Sequence, residues 1–247
     1  MKDLLRKLDK ASKSFRDPLF RRALRLGVAP SHEHRGMLAS LGQVGTVIDV
    51  GANVGQFALM ALRCLPQARV LSFEPLPEAA ERFARVMEGQ ERVRLYRKAL
   101  GAIETTLPIH VTARADSSSL LAPALQSEVY PGTHEVGMLQ VEVAPLDHVI
   151  AANEILGPAL LKIDVQGYEQ QVLEGCETLL SRFDWVFAEL SFVELYAGQT
   201  LAPEVIGWLE TRGFRLDGVY VSDMSYKNGR MIQGDFLFHR KTATEEA

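Results

Sequence analysis

Val47-Ile48-Asp49-Val50-Gly51-Ala52-Asn53-Val54-Gly55-Gln56-Phe57 is the stretch on which the rest of the chain is organised. Val47, Ile48 and Val50 predict a short buried strand that a glycine ends. Gly51 and Gly55 allow a tight turn and close approach of a second group to the backbone. Asn53 between them is one of the few side chains that tolerates positive φ. From Gln56 onward the apolar spacing of Phe57, Leu59, Met60 and Leu62 predicts a helix. A strand, a glycine turn and a helix N-terminus together make a ligand site at the carboxyl edge of a parallel sheet.

Two nucleotide-type ligands compete for such a turn. A dinucleotide site asks for G-x-G-x-x-G and seats a pyrophosphate on the helix N-terminus. Here the pattern is G-x-x-x-G, with Asp49 two residues before the first glycine. An acid in that place repels a pyrophosphate and suits a ligand with an amino group. S-adenosylmethionine has one, together with a sulfonium cation. Glu74 follows 25 residues after Asp49. That is one βαβ step, which brings its carboxylate to the end of the neighbouring strand, where it can accept hydrogen bonds from ribose hydroxyls.

A chain of 247 residues, 47% of them hydrophobic, can bury a full α/β core. Its charge is uneven. Residues 1–35 carry ten Lys/Arg against four Asp/Glu, and the remainder carries 17 against 27. An acidic globular part argues against a broad nucleic-acid surface. Cys64 and Cys176 give neither a disulfide framework nor metal-ligand spacing, which fits a reducing cytoplasmic setting. No apolar run is long enough to span a membrane. Residues 1–40 read as a helical extension. Leu4, Leu5, Leu8, Ala11 and Phe15 recur at helical spacing, Asp17-Pro18 interrupts them, and Leu19 to Leu26 resume before Gly27. Such a basic arm packs on its own domain, on an anionic surface, or on a second subunit in a homo-oligomer. Residues 41–247 form the main domain.

Beyond the opening unit, the pattern predicts strands at Arg69–Phe73, Arg92–Tyr96, 105–111 and Leu139–Val143, with a helix at Glu78–Met87. Residues 112–138 are polar and turn-rich, and an excursion of that length in a compact domain reads as a lid or substrate loop. Leu160-Leu161-Lys162-Ile163-Asp164 is a second buried strand ending in an acid, and Glu169–Leu180 is amphipathic at helical period. Trp185–Leu190 predicts a further strand with Glu189 near its end. Residues 201–211 predict a helix. Arg215–Val221 and Asp235–His239, joined through the turn-like Asn228-Gly229, predict an antiparallel pair at one sheet edge.

With these segments in view, the chain resembles the FkbM-type S-adenosylmethionine-dependent methyltransferases over residues 41–240. The resemblance is carried by VIDVGANVGQF (47–57), FEP (73–75), KALG (98–101), SSSL (117–120), PLD (145–147), LKIDVQGYEQQVLEGC (161–176) and AELSFVELYAGQ (188–199). It implies a Rossmann-like class I methyltransferase sheet of seven strands, the last antiparallel, with helices on both faces. It also implies methyl transfer to oxygen on a sugar, glycolipid or natural product. The cofactor contacts it implies are Asp49, Gly51, Ala52, Asn53, Gly55, Phe57, Glu74, Pro75 and Leu100. Two other classes stay open on the residues alone. One is an NAD(P)-dependent oxidoreductase of Rossmann type; the other is a cofactor-binding module without chemistry.

Transfer to a hydroxyl calls for a base. Asp164 and Glu189 lie at the ends of adjacent strands, where either can take the proton. Together they can instead hold a divalent metal that acidifies the hydroxyl. Among the histidines, His134 in the polar excursion and His148 beside Asp147 are further candidates.

Overall fold

The computed structural model describes residues 17–220, 226–227 and 230–241. The expected helix before Asp17 and the Asn228-Gly229 turn lie outside the described residues. Described elements begin with α1 (Pro18–Arg25), a 3-10 turn at His32–His34 and α2 (Arg35–Ser40). Asp17 caps α1 by accepting from the Leu19 N–H at 2.9 Å, with Pro18 at the first helical position. Next come β1 (Thr46–Val50), α3 (Gln56–Cys64), β2 (Arg69–Phe73), α4 (Pro77–Met87), β3 (Val93–Tyr96), β4 (Ala99–Leu100) and β5 (Thr105–Thr112). Then follow α5 (Gln126–Val129), β6 (Glu135–Ala144), β7 (Ala159–Ile163), α6 (Glu169–Gly175), β8 (Trp185–Ser191), α7 (Ala202–Glu210) and β9 (Phe214–Tyr220). The chain closes with β10 (Tyr226–Lys227), β11 (Arg230–Met231) and β12 (Gln233–Arg240).

Seven strands form the main sheet in the order β3-β2-β1-β7-β8-β12-β9. Neighbours from β3 to β8 are parallel. β12 alone runs antiparallel, to β8 on one side and β9 on the other. The expected terminal pair is therefore present, with β9 outermost. The antiparallel β10–β11 pair lies between its two strands in sequence.

Alternation along each strand divides the core in two. Val47, Leu160, Phe187 and Leu237 face α1, α2, α3 and α4, where they meet Phe20, Met37, Leu59 and Phe83. Ile48, Leu161, Ala188 and Phe236 face α6 and α7, where they meet Val172, Leu173, Val205 and Leu209. The buried Phe20 and Ala23 of α1 pack on this chain's own core. Among the described residues no helix is long and apolar enough to cross a membrane.

Three features bear on the site. First, β5 and β6, strands whose sheet the sequence left open, do not join the main sheet. With β4 they make a separate three-stranded sheet at its carboxyl edge. Second, β6 begins at Glu135, so the polar excursion contracts to residues 113–134. That segment is fastened along its length, by the Ala124 and Gln126 N–H groups to the Leu195 carbonyl and by the Ala197 N–H to the Ala122 carbonyl. Third, the helix expected over Glu169–Leu180 ends at Gly175 and gives way to a 3-10 turn over Glu177–Arg182. Gly175 lies against the Gly101 carbonyl, where a Cβ would collide.

Candidate functional site

A cavity of about 560 Å³ opens at the carboxyl edge of the main sheet. Its floor is the turn after β1. Gly51 and Gly55 adopt φ values of 74° and 93°, and Asn53 adopts 46°. A Cβ on Gly51 would collide with the Asp164 carbonyl, so glycine lets the turns after β1 and β7 touch. The Asp164 N–H donates to the Val50 carbonyl at 3.1 Å across that contact.

Beneath the turn runs a polar row set by register. Ser72, Asp49 and Lys162 are cross-strand partners on β2, β1 and β7. Ser72 Oγ donates to Asp49 Oδ2 at 3.2 Å, and Lys162 Nζ lies 3.1 Å from Asp49 Oδ1. The same ammonium donates to the Val50 and Gly51 carbonyls at 3.2 and 2.9 Å. Burial opposes the charge on Lys162, but Asp49 first and then Asp164 and Glu189 outweigh it and raise its pKa. Asp49 is 0% exposed. The sequence reading put this acid against the ligand's amino group. Instead its register partner takes the carboxylate, and Asp49 fixes the turn from below. Gly55 likewise sits behind the wall, against Phe83 and Met87.

The other expected cofactor contacts do line the cavity: Gly51, Ala52, Asn53, Phe57, Glu74, Pro75 and Leu100. Glu74 accepts from the Asn53 N–H and the Leu76 N–H, both at 2.8 Å, one on each oxygen. Each oxygen keeps a further acceptor site. Burial raises the Glu74 pKa to about 7 against those two N–H groups. Leu100, Leu76, Val165 and Tyr168 give this end of the cavity apolar walls. A deep carboxylate beside an apolar slot, next to a glycine turn at a helix N-terminus, fits a ribose, a flat base and a polar tail.

At the other end of the cavity stand the two expected acids. Gln166 joins them: its Nε2 donates to Asp164 Oδ1 at 2.8 Å and to Glu189 Oε2 at 2.9 Å. Its Oε1 is 2.9 Å from the Tyr196 hydroxyl. The turn that presents Gln166 holds a positive φ of 58°, and Ser119 Oγ donates to its carbonyl at 2.6 Å. The SSSL run of the sequence thus ties the 113–134 segment to the acid pair. Gln233 Nε2 donates to the second Glu189 oxygen at 3.1 Å. Burial, then the charges of Asp164 and Asp235, push the Glu189 pKa well above the carboxylate range. Among the described residues no group of three or more His, Cys, Asp or Glu side chains is arranged to hold a metal ion.

Neither expected histidine reaches the cavity wall. His134 is exposed before β6, where its carbonyl accepts from the Ala113 N–H. His148 is exposed with Nδ1 3.0 Å from Glu104. The histidine that does line the cavity is His34, from the N-terminal segment. Its Nε2 lies 3.4 Å from Asp235, and its ring packs against Phe57 and Phe187. No local pattern around His34 announces this; only the folding of the extension over α3 brings it there.

Glu169 supports the same turn. Its Oε1 accepts from the Val165 and Gly167 N–H groups at 3.2 and 3.0 Å. Burial raises its pKa from 4.5 to about 7. Between those values the native protein keeps a proton that the unfolded chain has released, so stability falls as pH rises from about 4.5 to 7. Glu169→Gln keeps the acceptor and removes the charge. Thermal melts should show it more stable than wild type at pH 8, on the order of 1–3 kcal/mol, and equal to it near pH 4. Equal stability at both pH values would show that ionising Glu169 costs nothing.

The chain is similar in sequence to known methyltransferases. A 2-O-methyltransferase, NoeI, of Sinorhizobium fredii is 30% identical over 175 residues, covering 67% of this chain and 72% of its own. The hexuronic acid methyltransferase AglP of Haloferax volcanii is 28% identical over 148 residues, covering 58% of this chain and 54% of its own. Among solved structures, a magnesium protoporphyrin IX methyltransferase from Synechocystis, with S-adenosylmethionine bound, superposes with a TM-score of 0.47 at 12% identity, over 91% of this chain and 85% of that one. His34, Gln233 and Asp235 lie outside the stretch that defines the family. That stretch, residues 49–216, matches the methyltransferase FkbM domain, and the chain belongs to that family of methyltransferases.

Proposed function

We propose that this chain transfers the methyl group of S-adenosylmethionine to a hydroxyl oxygen of a sugar-like acceptor. One observation carries the reading: a single cavity holds Glu74 at one end and the Asp164–Gln166–Glu189 cluster at the other. When bound, S-adenosylmethionine supplies a methyl group activated on a sulfonium for in-line displacement. Glu74, fixed by two backbone N–H groups, accepts hydrogen bonds from the ribose hydroxyls. The Asn53 turn approaches the cofactor's tail, and Leu76, Leu100 and Tyr168 exclude water from its base.

At the acceptor end, Asp164 is the proton acceptor. It is the more exposed of the two acids and lies 3.9 Å from the Lys162 ammonium. Glu189, whose two oxygens are held by Gln166 and Gln233, orients the acceptor hydroxyl beside Asp164. The hydroxyl oxygen gains a bond to the methyl carbon as the carbon–sulfur bond breaks, and its proton passes to the Asp164 carboxylate. The relatives' names, 2-O-methyltransferase and hexuronic acid methyltransferase, support an oxygen acceptor on a sugar.

Titration calorimetry with S-adenosylhomocysteine tests the cofactor half. Binding is expected, weakened in Glu74→Ala by about 1.5–3 kcal/mol, the worth of hydrogen bonds to a charged group. Transfer of a labelled methyl group to a glycan panel tests the other half. Heat from NAD with none from S-adenosylhomocysteine would overturn the reading.

A further inference from the structure

Two residues of the 113–134 segment lie in the cavity wall without a task in cofactor binding or proton transfer. Gln126 is 3% exposed, and its Oε1 is buried with no hydrogen-bond partner. The loop does not need that side chain. The Gln126 backbone does the local bonding: its N–H donates to the Leu195 carbonyl at 3.1 Å, and its carbonyl accepts from the Tyr130 N–H at 2.8 Å. A buried amide oxygen left unmet is costly, and natural structures retain one where a ligand or water completes it. One turn further on, Tyr130 also lines the cavity, near enough to Glu189 for that charge to raise its phenol pKa in addition to burial.

The charges around this wall restrict what can complete it. Asp116, Asp164, Glu189 and Asp235 all line the cavity. Its two permanent cations are already engaged: Lys162 by Asp49 and the turn carbonyls, and Arg114 by Asp116 at 3.0 Å. A carboxylate on the acceptor would meet Asp164, Glu189 and Asp235, and each permanent cation of the wall already faces an acid, so like charges would repel it. Hydroxyl groups would meet an amide oxygen, a phenol and carboxyl groups, each able to share a hydrogen bond.

We propose that Gln126 and Tyr130 form the subsite for the unreacting part of the acceptor, and that it takes an uncharged, polyhydroxylated ring and rejects a uronate. A hydroxyl of the ring donates to Gln126 Oε1, and Tyr130 holds a second one, while a third faces Asp164. This rests on the methyl-transfer reading and narrows it. It also separates this chain from its hexuronic acid-methylating relative.

The experiment uses the full chain saturated with S-adenosylhomocysteine. Binding is measured for the methyl glycosides of glucose, galactose, mannose, rhamnose and glucuronic acid. At least one neutral glycoside should bind, with the glucuronide at least about tenfold weaker than it. Gln126→Leu should weaken the neutral glycoside by roughly ten- to a hundredfold, the cost of an unmet buried hydrogen bond, and Tyr130→Phe should weaken it by a smaller factor. Both variants should keep wild-type affinity for S-adenosylhomocysteine, which serves as the check on folding. Wild-type glycoside binding by both variants, or a glucuronide that binds as tightly as the neutral sugars, would overturn the subsite. Cofactor binding with no glycoside bound would overturn the sugar class while leaving the cofactor reading intact. Failure of wild type to bind S-adenosylhomocysteine would overturn both.

Discussion

Asp164→Asn should lower methyl transfer by about 10²–10⁴, the usual worth of a positioned base, and leave cofactor affinity nearly unchanged. The substitution preserves shape. An asparagine Oδ1 can still accept from Gln166 Nε2, which holds the aspartate at 2.8 Å. What it removes is the ability to take a proton. Loss in kcat with an unchanged calorimetric Kd for S-adenosylhomocysteine is therefore the expected signature. The same assay separates a base from a metal ligand. Gln166 Nε2 already stands between Asp164 and Glu189, and Gln233 engages the other Glu189 oxygen. Turnover should accordingly survive a chelator. Abolition by chelator with recovery on adding magnesium would make the two carboxylates metal ligands. Full turnover in Asp164→Asn would move the base elsewhere, with His34 as the next residue to replace.

Lys162→Met should cost about 3–5 kcal/mol of folding stability, because it leaves the Asp49 carboxylate buried without its counter-charge. Asp49 is 0% exposed, so water cannot stand in for the ammonium. The double variant Lys162→Met/Asp49→Asn removes both charges and should recover most of that loss, as replacement of a whole buried pair commonly does. Cofactor affinity should not recover with it. Lys162 Nζ also holds the Val50 and Gly51 carbonyls, and both variants release that end of the glycine turn. Denaturant titration and calorimetry on the three proteins give the two readouts separately. A double variant no more stable than Lys162→Met alone would mean that the pair contributes through packing and not through charge.

What the sequence makes legible here is what local chemistry dictates. Asp49 to Gly55 must be a strand and a tight turn, and Glu74 must lie one βαβ step away. Both hold in the structure, as does the antiparallel final strand. The acids Asp164 and Glu189 are legible as strand ends, and Gln166 brings them together. Other features depend on distant partners. Asp49 reads as a ligand contact until β7 places Lys162 opposite it. Residues 135–138 of β6 are exposed and carry no alternating burial, so the start of that strand reads as loop. Gln126 and His34 look like ordinary surface side chains in sequence. Their backbones are held by Leu195 and by the 3-10 turn before α2, and those contacts determine what faces the cavity.

The position of β12 between β8 and β9 also orders events during synthesis. Among the described residues β9 hydrogen-bonds to β12 within the main sheet and to no other strand there. Residues 214–220 therefore leave the ribosome before the strand that will receive them exists. Until residues 233–240 follow, the nascent sheet has an open edge along β8, and Glu189 lacks both Gln233 and its register partner Asp235. At synthesis rates of about 5–20 residues per second that interval is on the order of a second, long enough for an exposed edge to attract a chaperone or a wrong partner. A chain released before this segment is made would carry the glycine turn and Glu74 but not a finished acid cluster.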